Sequence, residues 1–386
     1  MAGEHELNAW LRLSITPGVG DVTARRLLAA FGMPDQVFSQ PEQALRQVVS
    51  AAQAQALLAV PDDWTALCER THAWLGEGGR RHVLTLGDPA YPADLLQMAD
   101  PPLMLYLSGD ISLLSHACRL AVVGSRNPTP QGALTARDFS RSLAASGVCI
   151  VSGLALGVDG AAHEGALDAQ GATIAVVGTG LDRVYPRRHL DLAHRLAASG
   201  LLVSEFPLGT SPSPANFPKR NRIIAGLTQG TLVVEAAMAS GSLITARLAA
   251  DMGREVFAIP GSIHSTQAKG CHALIRQGAK LVETAQDVLE ELRFADRSAM
   301  WPTPDPEDVA DGQDAADGQP PPTVSASDEA IDSVLDCMGH APIGLDAIQA
   351  RTGLPTAVLQ AHLLELELDG QLARMPGGLF QRMVRT

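Results

Sequence analysis

The stretch Arg119–Gly153, RLAVVGSRNPTPQGALTARDFSRSLAASGVCIVSG, decides the fold. Two short apolar runs, RLAVV and VCIVS, flank a segment that reads as a helix, GALTARDFSRSLAAS. The same alternation continues through TIAVVG, LLVSE, TLVVEA, EVFAIP and KLVE. Apolar runs without polar interruption belong to strands buried on both faces. Strands alternating with helices predict an α/β fold, a Rossmann-like, doubly wound and mainly parallel sheet. Right-handed crossovers then gather the loops after the strands along one edge, where ligands of such folds bind.

Outward from this sheet, assigned to residues 82–295, three further segments are expected. Residues 1–80 read as a helical domain. Its ITPGVGDVTARRLLAAFG has a Gly18-Val19-Gly20 turn, then Ala24, Leu27, Leu28 and Phe31 at helical spacing. This resembles a helix-hairpin-helix (SAM-like) element, whose turn amides can hold a DNA phosphate. A purely structural helical hairpin is the favoured reading. The segment containing YPADLLQMADPPLMLYLSGD is expected to pack against the start of the sheet. Residues 296–327, rich in Pro, Asp, Gly and Ala, read as a disordered acidic linker. Residues 328–386 read as a winged-helix-like module. Ile331, Val334, Leu335 and Met338 mark its first helix, Leu345 and Ile348 its second, and Leu359, Leu363 and Leu366 its third. A hairpin turning at Gly377-Gly378 follows. The third helix is expected to expose Glu365 and Glu367 and offers no Lys or Arg. A recognition helix that meets phosphates has the opposite charge, so a protein contact suits the module at least as well.

The chain has 386 residues and a formal net charge of −13, which argues against wholesale coating of nucleic acid but permits a local basic cleft. Its five cysteines, Cys68, Cys118, Cys149, Cys271 and Cys337, form no C-x-x-C pair. Neither a metal site nor a disulfide framework is expected, and a reducing cytoplasm fits. No cofactor-binding pattern is present. The N-terminus lacks the basic start and apolar run of a signal peptide, and no apolar run is long enough for a membrane span.

The chemistry-bearing motifs fall on the ligand edge. In VVGSRNPT, Gly124 and Ser125 bring backbone close to the next helix start, and Arg126 adds a bidentate fork for phosphate. In VSGLALGVDGAAHEGAL, Ser152 and Gly153 lie beside that loop, Asp159 is a candidate helix cap, and His163 reads as a core or supporting histidine. Gly178 and Gly180 follow the third strand, with Arg183, Arg187 and Arg188 adding positive charge. In PANFPKRNRIIAGL, Asn216 is a candidate cap, and Phe217, Lys219, Arg220, Asn221 and Arg222 crowd the first helical turns. Cations there oppose the helix dipole, by a few tenths to about 1 kcal/mol each, so an external anion would explain them. Phe217 offers a face on which a base can stack. Ser240 and Ser242 read as helix caps, and Lys269 as a further groove charge. No nucleophile elbow, Walker loop or H-E-x-x-H motif occurs.

Taken together, VVGSRNPT, VSGLALGVDGAAHEGAL, GTGLDRVYPRRH, NFPKRNRIIAGL and VVEAAMASGSLITARLA resemble the DNA-processing protein A (DprA, or Smf) family, over roughly residues 91–292. The resemblance implies a single-stranded DNA-binding homodimer that protects incoming DNA during natural transformation and loads the RecA recombinase. With no nucleophile–base set in the sequence, no enzymatic activity is expected. By the same resemblance the phosphate-binding arginine is Arg126, and the basic and aromatic DNA contacts are Phe217, Lys219, Arg220 and Asn221. Ser152, Gly153 and Gly180 would line the same pocket. Gly270-Cys271-His272 departs from the family's usual Gly-Thr-Asn or Gly-Ser-Asn. Two alternatives stand beside this reading. One is a nucleotide phosphoribohydrolase on a related fold, although GLTQGTLVVEA lacks the Pro-Gly-Gly of that loop and carries Glu235 one residue late. The other is an adaptor acting through the tail.

Overall fold

A computed structural model describes residues 3–78, 80–292, 334–335, 338, 343–352, 354–375 and 379–383. These residues fall into two compact units, one built on the helical segment and the sheet, the other on the tail. The linker expected at 296–327, Ile331 and the Gly377-Gly378 turn lie outside the described residues.

The first unit holds a nine-stranded sheet of order β1-β2-β6-β5-β4-β3-β7-β8-β9. Its strands are β1 (Arg81–Thr85), β2 (Met104–Gly109), β3 (Arg119–Val123), β4 (Cys149–Ser152), β5 (Thr173–Val176), β6 (Leu201–Ser204), β7 (Gly230–Val233), β8 (Glu255–Ala258) and β9 (Lys280–Leu281). All seven strands expected from the apolar runs are present. Every residue of β3 to β7 is buried, which is why those runs do not alternate. The seven pair in parallel, with Ala121 opposite Val151 on one side and Thr231 on the other. β1 and β2 form an antiparallel hairpin, and β2 pairs antiparallel with β6. The segment before β3 therefore extends the sheet at its β6 side. It also packs against the start of β3, as expected: Arg119, the first residue of that strand, is bridged to Asp94 and donates to Leu114 O at 2.8 Å, and Leu95 and Met98 join the core with Ala121.

Side chains on a strand alternate between faces, and the two cores follow that rule. Ile174, Val176, Leu201 and Val203 enter a core with Ile223, Ile224 and Leu227 of the β6–β7 connection. Ala175, Val177 and Leu202 enter a second core with Leu192, Ala193 and Leu196 of helix Leu190–Ser199. Helices on both faces make the sheet doubly wound. Full burial of Ile223 and Ile224 is worth about 1.5–3 kcal/mol each and fixes helix Asn216–Gly226 against the sheet.

The N-terminal helices cover the outer face of the hairpin. Trp10, Leu11, Leu27 and Leu57 pack with Met104 and Tyr106 of β2, whose alternate residues Leu105 and Leu107 join the central core. Trp74 meets Tyr106 edge to face at 6.2 Å. Helices Glu4–Ile15 and Asp21–Phe31 form the expected hairpin, with Gly18 at φ +76° in the turn.

In the tail, β10 (Ile343–Gly344), β11 (Leu372–Met375) and β12 (Leu379–Arg382) form a sheet of order β10-β12-β11. Helices Leu345–Thr352 and Thr356–Leu368 complete a winged-helix core with Ile348, Leu359, Leu363, Leu366 and Phe380. Glu365 is exposed as expected, whereas Glu367 is half-buried; Leu364 and Leu368 are exposed instead.

Candidate nucleic-acid interface

The strand order reverses between β3 and β7: the chain moves outward from β3 through β4, β5 and β6, then returns to β7 on the other side. The loops leaving such neighbours diverge and open a crevice, the usual ligand site of doubly wound sheets. A cavity of about 720 Å³ lies there. The loop after β3 contributes Gly124, Ser125, Arg126 and Asn127, and the loop after β7 contributes Ala237, Ser240 and Gly241. Helix Asn216–Gly226 adds Phe217, Arg220 and Asn221, and Tyr185 reaches in from the loop after β5.

Ser125 is anchored from both sides. Its N–H donates to Glu235 O at 2.6 Å, and its carbonyl accepts from Val158 N at 3.1 Å. Its hydroxyl accepts from Asn127 N at 3.1 Å, closing a tight turn under Arg126. The Arg126 side chain is thereby carried out to solvent, with its guanidinium carbon 5.1 Å from the centre of the Phe217 ring. Among the described residues Arg126 has no ion pair. Phe217 is half-buried and rests against Gly178, where an added Cβ would come within 3.2 Å of its Cδ1. The neighbouring Asn216 is the first helical residue rather than the cap. It donates through Nδ2 to Gly178 O at 3.0 Å and so ties the helix start to the loop after β5.

The other members of the basic cluster face different surroundings. Arg220 is buried at 3% exposure and donates through Nη1 to the carbonyls of Gly153 and Val176. Its guanidinium passes where a side chain at Gly153 would begin, so that position requires glycine. Burial pulls Arg220 down to about 10, with Asp159 opposing that shift. Asp159 does not cap its helix, which starts after Gly157; its Oδ2 accepts from the amides of Gly153 and Ala155 at 3.1 and 3.3 Å. Burial raises the Asp159 pKa, while Arg220, the two amides and Arg126 pull it down. His163 is fully buried with Nδ1 2.8 Å from Thr173 Oγ1, and burial pushes it down to about 3. It is a core histidine.

Arg222 points to the opposite side of the helix. It is bridged to Glu205, lies 3.1 Å from Asp21, and holds Asp100 at 3.4 Å. Lys219, half-exposed, lies 3.5 Å from Asp21 and 4.0 Å from Glu205, with its ammonium over Phe206. Asp21 begins the second helix of the N-terminal hairpin, so that turn faces the sheet body.

Several expectations are therefore corrected. Arg222 is not presented to a ligand, because three carboxylates already surround it. Arg220 lines the cavity but is held by backbone carbonyls, so internal acceptors answer the helix-dipole argument for both arginines. Ser152 is sealed, donating to Val122 O at 2.6 Å. Gly180 lies outside the cavity, its N–H bonded to Thr210 O. Lys219 and Lys269 do not line the cavity either. Asn221 does, and its amide reaches Gly241 O at 3.4 Å. The sequence reading missed Tyr185 as a lining residue and took Ser240 and Ser242 only as caps. Their hydroxyls are 2.7 Å apart beside the cavity, on the loop that the strand reversal singles out.

Residues 82–293, more than half of the chain, match the family model of DNA recombination-mediator protein A. The chain belongs to this family. Residues 318–378 match the DprA winged helix domain. The chain is similar to protein Smf of Escherichia coli, with 41% identity over 96% of this chain and 94% of that protein. It is also similar to DNA processing protein DprA of Streptococcus pneumoniae, with 48% identity over 54% of this chain and 73% of the relative. A solved structure of that pneumococcal protein superposes with a TM-score of 0.64 at 37% identity, covering 75% of this chain and 98% of the other. DNA processing protein A of Helicobacter pylori, solved in a study of its single-stranded DNA binding mode, gives a TM-score of 0.50 at 32% identity, over 54% of this chain and 94% of that one. Among the described residues no helix is long and apolar enough to cross a membrane.

Proposed function

We propose that this protein is a single-stranded DNA-binding recombination mediator that protects incoming strands and loads the RecA recombinase during natural transformation. The observation that carries the reading is Arg126: an exposed guanidinium without an ion pair among the described residues, set over an aromatic ring and lining the switch-point cavity of an acidic chain. Phosphate meets the Arg126 guanidinium, with Lys219 as an outlying cation. The described binding mode of the Helicobacter pylori relative supports the choice of ligand. Phosphate and stacking contacts tolerate any sequence, so base preference is weak. The protein acts in the cytoplasm without a cofactor. It pairs as a homodimer, for which the exposed Met238, Ile263 and Leu281 beyond β7, beyond β8 and on β9 are suited.

The role is binding rather than catalysis. Glu235, the carboxylate a phosphoribohydrolase would need, does not line the cavity; its oxygens occupy the space where a Cβ on Gly132 would stand. Asp159, which does line it, is committed to two amides.

The test is oligo-dT binding by fluorescence anisotropy. Arg126→Glu should weaken binding at least tenfold, the size of a lost charge-assisted contact of about 1.5–3 kcal/mol. Because Arg126 is exposed, its thermal transition should stay within about 0.5 kcal/mol of the parent. Parent affinity should fall with salt at a log–log slope of about −0.7 per phosphate neutralised. A flat salt response, or full binding by Arg126→Glu, rejects the reading.

A further inference from the structure

Phe217 is not a bare platform. The Arg126 guanidinium lies over its ring, Gly178 backs its Cδ1 edge, and the Tyr185 ring leans on it at 5.7 Å between centroids, tilted by 37°. That spacing is normal for a contacting aromatic pair. It is too small to admit a base between the rings, since two stacked contacts of about 3.5 Å each need roughly 7 Å. A base approaching Phe217 directly would have to displace Arg126 or Tyr185. Tyr185, in contrast, is 46% exposed and lines the same cavity.

We propose that Tyr185 is the ring an unpaired nucleobase stacks on, with Phe217 as a positioning residue that holds Tyr185 and Arg126 in register. The inference rests on the single-stranded DNA reading of this cavity and deepens it. A phosphate at Arg126 and a base on Tyr185 would then be read by groups that both contact the Phe217 ring. The loop after β5 supplies the base contact and the loop after β3 the phosphate contact. A phenol face accepts all four bases, which fits binding without sequence preference. Duplex DNA, whose bases are already stacked, has no free face to offer.

The experiment compares oligo-dT with an equally long oligonucleotide of abasic residues, using the full chain. For the parent, oligo-dT should bind more tightly than the abasic strand. Tyr185→Ala and Tyr185→Leu should both lose about 5- to 140-fold on oligo-dT, corresponding to roughly 1–3 kcal/mol for one base–aromatic stack. Neither should change abasic binding. Tyr185→Phe should keep parental affinity for both. A 2-aminopurine strand should be quenched by the parent and by Tyr185→Phe, and not by Tyr185→Leu, a readout that a merely structural role would leave unmoved. If both non-aromatic variants bind and quench as the parent does, Tyr185 is not the stacking ring. If the parent itself fails to bind oligo-dT, the underlying reading falls instead.

Discussion

Helix Asn216–Gly226 has two sides that share a basic cluster and use it differently. Toward the cavity, Phe217 supports Arg126, and that guanidinium faces solvent. Toward the N-terminal helices, Arg222 is enclosed by Glu205, Asp21 and Asp100. One side keeps a cation available; the other consumes one to hold two layers together. The difference shows that a cluster of positive residues is not yet a binding surface. What decides is whether the fold has already supplied each cation with acceptors.

The comparison breaks most decisively at Arg222. Its side chain and that of Glu205 are 6% and 4% exposed, so Arg222→Met would leave a carboxylate buried without its partner. Breaking such a pair from one side costs about 3–5 kcal/mol. Urea unfolding should register a loss of that size, and the N-terminal helices should become the first segment to gain hydrogen exchange. A loss below about 1 kcal/mol would put Arg222 with the surface cations.

Glu205 sharpens the same contrast through pH. Burial, the larger influence, pushes it up from 4.5 to about 7, against the pull of Arg222 and Lys219 and with Asp21 and Asp100 adding to the rise. The folded state therefore holds this proton more tightly than the unfolded state does. The stabilisation is complete below about pH 4.5, declines as pH rises toward about 7, and is flat above. Glu205→Gln should remove that part of the slope, seen as the difference between parent and variant urea midpoints from pH 4.5 to 7.5. An identical slope in both proteins would assign the pH dependence elsewhere.

Much of the fold was legible because burial on both faces leaves a one-dimensional trace. β3 to β7 are buried throughout and mostly apolar, with one polar residue each (Arg119, Ser152, Thr173, Ser204 and Thr231), so TIAV and LLVS read as strands between helices. The placing of β2 next to β6 left no such trace, because an antiparallel hairpin can join any free edge and only three-dimensional packing chooses. Arg126 was legible from its place after the first parallel strand. Arg220 and Arg222 were misjudged because a cation reads the same whether its acceptor is a phosphate, a carbonyl or a carboxylate. Their acceptors are remote in sequence: Gly153 is 67 residues from Arg220, and Asp21 is 201 from Arg222. Tyr185 was overlooked among the arginines of RVYPRRH, although an aromatic residue after a strand on the ligand edge was a usable signal.

Lys219 is the smallest and most discriminating case, since it stands between the two sides. It is 49% exposed, outside the cavity, and held by Asp21 at 3.5 Å. An ion pair at that exposure contributes about 0–1 kcal/mol, so Lys219→Ala should shift stability by no more than that. If Lys219 also meets a phosphate, the salt slope of oligo-dT binding should fall by about 0.7. If Asp21 retains it, the slope should not change, and Asp21→Asn should then steepen it by releasing the ammonium. A slope unchanged in both variants would confine the DNA-facing charge to the cavity side of the helix, with Lys219 joining Arg222 in holding the layers together.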